Sequence, residues 1–186
     1  MTLTWIIIAV VAVLTLAVIS LYNKLVRLRN TVRSAWSDID VQLKKRYDLV
    51  PNLVETVKGY AAHEQSLFTK VTDARAQAIK ATGPAETAKA ENQLRDSLKS
   101  LFAVAEAYPD LKANQDFLQL QTQLKEIEDN IEAARRYYNA AVRDFNTAIE
   151  QFPSNLVASQ FGFERNDFFE LESPEVERKA VKVDFR

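Results

Sequence analysis

The most distinctive pattern in the chain is the apolar run LTWIIIAVVAVLTLAVISL, residues 3–21, which contains no charged side chain. A helix of this length is about 29 Å long, close to the hydrocarbon thickness of a bilayer. The pattern therefore predicts a transmembrane anchor over residues 1–21. The side chains expected to face lipid are Leu3, Trp5, Ile6, Ile7, Ile8, Leu14, Leu16, Ile19 and Leu21. A cleaved signal peptide is the alternative, but no Lys or Arg precedes the run and no small-x-small cleavage site follows it.

The charges that flank this run predict its orientation. Lys24, Arg27, Arg29 and Arg33 follow it, and no acidic residue occurs before Asp38. Positive residues are retained on the cytoplasmic side, so we expect a single-pass protein of the cell (inner) membrane. The short N-terminus would lie outside and the remaining chain in the cytoplasm. The same cations could also contact anionic headgroups, although a topology signal alone is the simpler interpretation.

A second pattern, an apolar seam with alternating spacings of three and four, predicts a long helix near the C-terminal half. The seam is formed by Phe117, Leu120, Leu124, Ile127, Ile131, Ala134, Tyr138, Ala141, Phe145, Ala148 and Phe152. Pro153 should end the helix. Asn114 and Asp110 are both candidate caps, and we favour Asn114.

Shorter seams upstream complete an all-α fold. One runs from Leu94 to Tyr108, after Gly83 and Pro84, which mark the end of one helix and the start of the next. Seams also surround Pro51, which indicates either a kinked helix or a reversal of the chain. Reversal divides the chain into four rods of about 28, 30, 24 and 38 residues, comparable enough for an up-and-down bundle. We therefore predict a four-helix bundle over residues 22–152.

The last segment, residues 153–186, differs in composition and is predicted to be an extended tail that packs on the bundle. It holds half of the chain's ten phenylalanines, among many acidic side chains. A partner-binding tail is the alternative interpretation. Residues 181–185, VKVDF, alternate like a strand but have no other strand-like run to pair with.

Composition narrows the possible chemistry. There is no cysteine and only one histidine, which excludes thiolate nucleophiles and two-histidine metal motifs. His63-Glu64 begins like a zincin motif but has no second histidine, so we interpret His63 as a helix-surface residue. A net charge of −1 argues against nucleic-acid binding. We expect no catalytic residues, no cofactor and no metal site, with a carboxylate-only metal-binding or enzymatic bundle as the alternative.

One polar pair is predicted to have a structural role. Asp40 and Arg46 both lie close to the apolar stripe, where the spacing of the seam changes. A buried Asp–Arg pair at this point would fix helix register more than it would stabilise the fold.

The whole chain resembles the LemA family. The resemblance is carried by YNKLVRLRNTVRSAWSDIDVQLKKRYDLVPNLVETVKGYAAHE (residues 22–64), AVAEAYPDLKANQDFLQLQTQL (103–124), ARRYYNAAVRDFNTAIEQFPSNLVA (134–158) and the closing VKVDF. It implies one N-terminal membrane helix and a cytoplasmic helical bundle, and it brings no catalytic residues. We therefore expect a scaffold or interaction protein at the membrane. Its partners would be the lipid bilayer and unidentified membrane or cytoplasmic proteins, and self-association into a homo-oligomer stays open.

Overall fold

The chain is all-α, as the apolar patterns predict. The structure is a computed structural model and describes residues 2–170. Within that range there is no strand, and the helices are α1 (Thr2–Lys58), α2 (Gln65–Lys80), α3 (Gly83–Ala105), α4 (Pro109–Lys112), α5 (Gln115–Glu150) and α6 (Ser154–Gln160). The apolar run forms the first third of α1, which is long and apolar enough there to cross a membrane.

The predicted chain reversal at Pro51 is wrong, because α1 continues through this residue to Lys58. Proline has no backbone N–H, so the carbonyl of Tyr47, four residues earlier, loses its usual helical donor. Nε of Arg75, from α2, donates to that carbonyl oxygen at 2.6 Å. A side chain distant in sequence thus replaces the missing hydrogen bond, and the first connection falls after Lys58 instead.

The capping and helix-breaking residues in the sequence correctly predict two helix boundaries. The side-chain oxygen of Asn114 accepts a hydrogen bond from the backbone N–H of Phe117 at 2.9 Å, which confirms Asn114 as the cap of α5. Gly83 has a φ of +74°, which side-chain-bearing residues rarely adopt, and Pro84 lies in the first turn of α3. The predicted stop and start at Gly83-Pro84 is therefore confirmed.

The described residues form two compact units. The first unit comprises the chain from Thr2 to Leu43 together with Glu128–Phe168, and the second comprises Lys44–Ile127 together with Phe169 and Glu170. The core of the first unit contains Leu25, Val32, Ala35, Ile39, Ile131, Tyr138, Ala141, Val142, Phe145 and Phe163. The core of the second unit contains Val50, Leu53, Val57, Phe68, Val71, Leu94, Leu98, Leu101, Leu111 and Phe117.

The seam of α5 is buried or half-buried along the helix, with one exception at its end. Phe152 lies beyond the last residue of α5 and is exposed, so its assignment to the seam is wrong. Since the helix ends at Glu150, Phe152 no longer follows the helical spacing that buries Ala148. The exposed face carries Lys125, Glu126 and Asp129.

The tail is not wholly extended. Residues Ser154–Gln160 form α6, and its Val157 and Ala158 are buried in the first unit. Phe163 is buried there too, whereas Phe161 and Phe168 are exposed. The strand-like segment 181–185 lies outside the described residues.

Candidate functional site

The candidate membrane anchor leaves its apolar side chains unburied. Every described residue as far as Ser20 is exposed, although the helix that carries them becomes part of a packed core at Leu25. Exposure of so many adjacent large apolar side chains is unfavourable in water and favourable in lipid. The predicted anchor residues thus form one continuous apolar surface at the start of α1.

Four cations follow the anchor, and the structure gives them different surroundings. Lys24, Arg27 and Arg33 are exposed. Arg29 is half-buried, and its guanidinium carbon lies 5.0 Å from the centroid of the Phe163 ring, a cation–π contact. Arg29 therefore has a packing role in the first unit in addition to its charge.

An aromatic cluster surrounds the first turn after the anchor. The ring centroid of Tyr22 lies 4.9 Å from that of Phe161 and 5.8 Å from that of Phe163. Phe163 also lies 6.4 Å from Phe145 of α5. These contacts attach the segment after α6 to the part of α1 that emerges from the apolar run.

Two polar side chains of α5 hold the same segment further along. The amide of the buried Asn146 donates to the carbonyl of Asn166 and accepts from its backbone N–H, both at 3.0 Å. The hydroxyl of Tyr138 donates to the carbonyl of Asp167 at 2.8 Å. Burial, aided by the charge of Asp167, raises the pKa of Tyr138 to about 12. The residues after α6 are therefore held by backbone contacts that do not depend on the identity of residues 166 and 167.

A basic groove of about 400 Å³ lies on the α5 side of the first unit. It is lined by Arg135, Arg136, Asn139, Ala140, Arg143 and Phe168. Arg136 pairs with Glu132 on its own helix, and Nε of Arg143 lies 3.7 Å from Asp144. Both pairs are exposed, so they hold these guanidinium groups weakly. The groove offers several arginine donors beside an exposed aromatic ring.

The second unit contains a buried ion pair that differs from the predicted one. Arg46 is 2% exposed and forms a salt bridge with Glu91 of α3, which is 1% exposed. The hydroxyl of Tyr47 donates to the other carboxylate oxygen of Glu91 at 2.5 Å. Arg46 and Glu91 are too deeply buried for a substrate to reach them, and their salt bridge links α1 to α3.

The predicted burial of Asp40 beside Arg46 is therefore wrong. Residues six apart on a helix differ by about 120° in direction, so they face different sides. Asp40 is exposed, and partial desolvation of its carboxyl raises its pKa. The sequence does contain an indication of Glu91 as the partner of Arg46. Thr87 and Glu91 continue the Leu94 seam towards the N-terminus with the same spacings of four and three, so Glu91 occupies a position where a buried apolar residue is expected.

The described chain offers no obvious place for a metal. Across residues 2–170, no group of three or more His, Asp and Glu side chains is arranged to hold an ion.

His63 is exposed on a turn between α1 and α2, so its predicted place on a helix surface is wrong.

Over residues 2–170, these features define an all-α protein with a candidate membrane span at the start of α1 and packed helices after it. The chain belongs to the LemA family, whose model matches residues 35–185. It is 31% identical over 163 residues to Protein LemA of Metamycoplasma hominis, covering 86% of this chain and 72% of that protein.

The chain is also similar to proteins named as magnetosome proteins. It is 28% identical over 175 residues to Magnetosome protein MamQ 2 of Paramagnetospirillum magneticum. It is 26% identical over 174 residues to Magnetosome protein MamQ of Magnetospirillum gryphiswaldense. In both cases the match covers 80% of this chain and 64% of the relative, so the chain spans less than two thirds of these relatives.

Proposed function

We propose that the protein is a single-pass membrane-anchored scaffold of the LemA family, which presents a helical body to protein partners. The observation that carries this proposal is the continuity of α1. Its first part exposes uncharged and mostly apolar side chains, and the same helix then supplies Leu25, Val32 and Ile39 to a packed core. An unbroken helix fixes the body directly to the anchor.

The proposed orientation places the short N-terminus outside and the body in the cytoplasm, at the inner membrane. The exposed cations Lys24, Arg27 and Arg33 support it, because they follow the anchor without a compensating acid.

The basic groove is the surface that best fits a protein partner. Its arginines are exposed or half-buried and beside Phe168, a combination suited to an acidic segment that carries an aromatic or aliphatic side chain. Exposed ion pairs exchange readily, so an acidic partner could replace Glu132 and Asp144 as the acceptor.

Cysteine accessibility tests the anchor and its orientation. The chain has no cysteine, so Thr2→Cys and Glu126→Cys each give one exposed reporter. In intact spheroplasts, a membrane-impermeant maleimide should label the cysteine at position 2 and reach that at position 126 only after lysis. The opposite labelling pattern would refute the orientation, and recovery of the full chain in the soluble fraction would refute the anchor.

Photocrosslinking in membranes tests the groove. A photoreactive phenylalanine in place of Ala140, one of the residues that line the groove, should crosslink to a defined partner. The double change Arg136→Glu and Arg143→Glu should abolish that crosslink. Lys45→Glu, a charge reversal at an exposed site in the second unit, is the matched control and should preserve it. Equal crosslinking in both variants would show that the groove does not bind the partner.

The carboxylate-only metal-binding or enzymatic bundle stays an alternative with a direct test. Metal analysis of the purified full chain should find no stoichiometric iron or manganese. Stoichiometric metal would favour the alternative over a scaffold.

A further inference from the structure

Three large apolar side chains are exposed in and around α6: Leu156 belongs to the helix, and Phe152 and Phe161 flank it. Phe152 is 80% exposed, Leu156 61% and Phe161 54%. In the described residues beyond the apolar run of α1, no large apolar side chain is more exposed than Phe152 and Leu156. The opposite side of α6 is buried, since Ser154, Val157 and Ala158 pack into the first unit. One side of α6 is therefore held by packing, while Leu156 on the helix and Phe152 and Phe161 beside it are left exposed.

These side chains lie at the end of the first unit that adjoins the anchor. The ring centroid of Phe161 lies 4.9 Å from that of Tyr22, which immediately follows the apolar run. At the end of α5, Gln151 and Ala148 line a groove together with Lys24 and Leu28 of α1. The two ends of the segment from Gln151 to Phe161 thus lie beside the first two turns of α1 after the anchor.

We propose that Phe152, Leu156 and Phe161 form an interfacial anchor that inserts into the bilayer at the point where α1 leaves it. The inference rests on the proposed function, because it requires residues 3–21 to span that bilayer. Aromatic and aliphatic side chains on a short helix insert shallowly, at the boundary between headgroups and acyl chains. Tyr22 would lie at the same depth in the bilayer, and tyrosine is enriched at the membrane–water interface.

The charges around this interfacial anchor agree with such a position. Lys24 and Arg27 are exposed on the adjoining turns of α1 and can reach lipid headgroups. Arg165, beyond Phe161, is exposed and pairs with Glu150 at 2.8 Å. A lipid surface is the occupant favoured by continuity with the membrane span, because the anchor brings bilayer to this end of the unit whether or not a partner protein is present.

Lipid-borne quenchers provide the test. The cysteine-free full chain is labelled with the fluorophore NBD at Phe152→Cys, Leu156→Cys or Phe161→Cys and reconstituted into vesicles of phosphatidylcholine and phosphatidylglycerol. A fraction of the lipid carries a doxyl quencher at a shallow acyl position. Ile8→Cys is the control inside the span. Tyr137→Cys is the matched control, an exposed aromatic position about 20 Å from the end of α5.

We expect quenching at all three positions to exceed that at position 137 at least about twofold, as shallow insertion requires. Circular dichroism of each labelled chain checks that the helices are retained, and the three positions are read independently. Quenching at position 8 with none at 152, 156 and 161 would overturn the interfacial anchor and leave the membrane span intact. No quenching at position 8 would instead refute the span and the inference with it. Blue-shifted emission at position 152 that appears equally in detergent, without lipid quenching, would mean that a second copy covers the surface, and would also overturn the inference.

Discussion

Arg46 and Glu91 are charged side chains that are almost fully buried, so each charge is compensated by its partner and not by water. Breaking such a pair from one side leaves an uncompensated buried charge, whereas replacing both members with apolar side chains is often nearly neutral. The hydrogen bond from Tyr47 to Glu91 adds a third member from the turn that also contains Arg46.

We expect Arg46→Met to lower the free energy of unfolding by about 3–5 kcal/mol. The double change Arg46→Met and Glu91→Met should recover most of the loss. Urea denaturation of the full chain in mild detergent measures both. A single-variant cost below about 0.5 kcal/mol would show that the two charges are effectively solvated.

Arg75 is the second residue whose role depends on a distant position. Its Nε donates to the Tyr47 carbonyl that Pro51 leaves without a helical donor. Arg75→Met should therefore cost about 1 kcal/mol, the net value of one hydrogen bond.

In a Pro51→Ala background the restored N–H supplies the donor, so most of the cost of Arg75→Met should disappear. Pro51 is exposed, so Pro51→Ala removes little packing. The double-mutant cycle, measured by denaturation, isolates this coupling. Lys80→Met, which changes an exposed cation on the same helix α2, serves as the control. Additive effects of the two changes would contradict the assignment.

Tyr138 makes stability sensitive to high pH. Its pKa is raised from 10.0 to about 12 in the folded chain. Between these values the unfolded chain releases the proton and the folded chain keeps it, so stability falls as pH rises. The stability difference between the native chain and Tyr138→Phe should therefore shrink between pH 9 and about 11.5. A difference independent of pH would contradict the raised pKa.

At the scale of elements, Asn146 of α5 holds the segment after α6 through both backbone groups of Asn166. Asn146→Ala removes both bonds, and Asn146→Asp keeps only the acceptor. We expect faster tryptic cleavage after Arg165 in both variants, with the larger change in Asn146→Ala. Thr147→Ala, at an exposed neighbouring position, should leave the cleavage rate unchanged. Unchanged cleavage in Asn146→Ala would show that the Tyr138 hydrogen bond and the aromatic contacts hold the segment without Asn146.

At the scale of the whole molecule, orientation depends on a few cations. Replacing Lys24, Arg27 and Arg33 with Gln removes the exposed positive charge and keeps Arg29, whose contact with Phe163 belongs to the core. We expect chains of mixed orientation in the cysteine assay, because little else biases insertion. The control Lys44→Gln and Lys45→Gln, further along α1, should keep a uniform orientation. Uniform orientation in the triple variant would mean that the folded body decides the topology.

Periodicity in the sequence was sufficient for the all-α class, the apolar run, the long helix α5 and its cap at Asn114. These features depend on interactions between residues a few positions apart, so a local pattern contains the information. The resemblance to the LemA family, which rests on motifs along the chain, is confirmed by the family model that matches residues 35–185. Membrane orientation stays a prediction from charge.

Only the tertiary structure decided the partner of Arg46, the passage of α1 through Pro51 and the course of the chain after Pro153. Glu91 lies 45 residues from Arg46, and Arg75 lies 28 residues from Tyr47. A helical pattern shows which side chains leave the solvent but not which distant side chain meets them. Buried charges and backbone carbonyls without a helical donor find their partners on other helices. For that reason the sequence pattern wrongly predicted Asp40 as the partner of Arg46. For the same reason it wrongly predicted that α1 ends at Pro51.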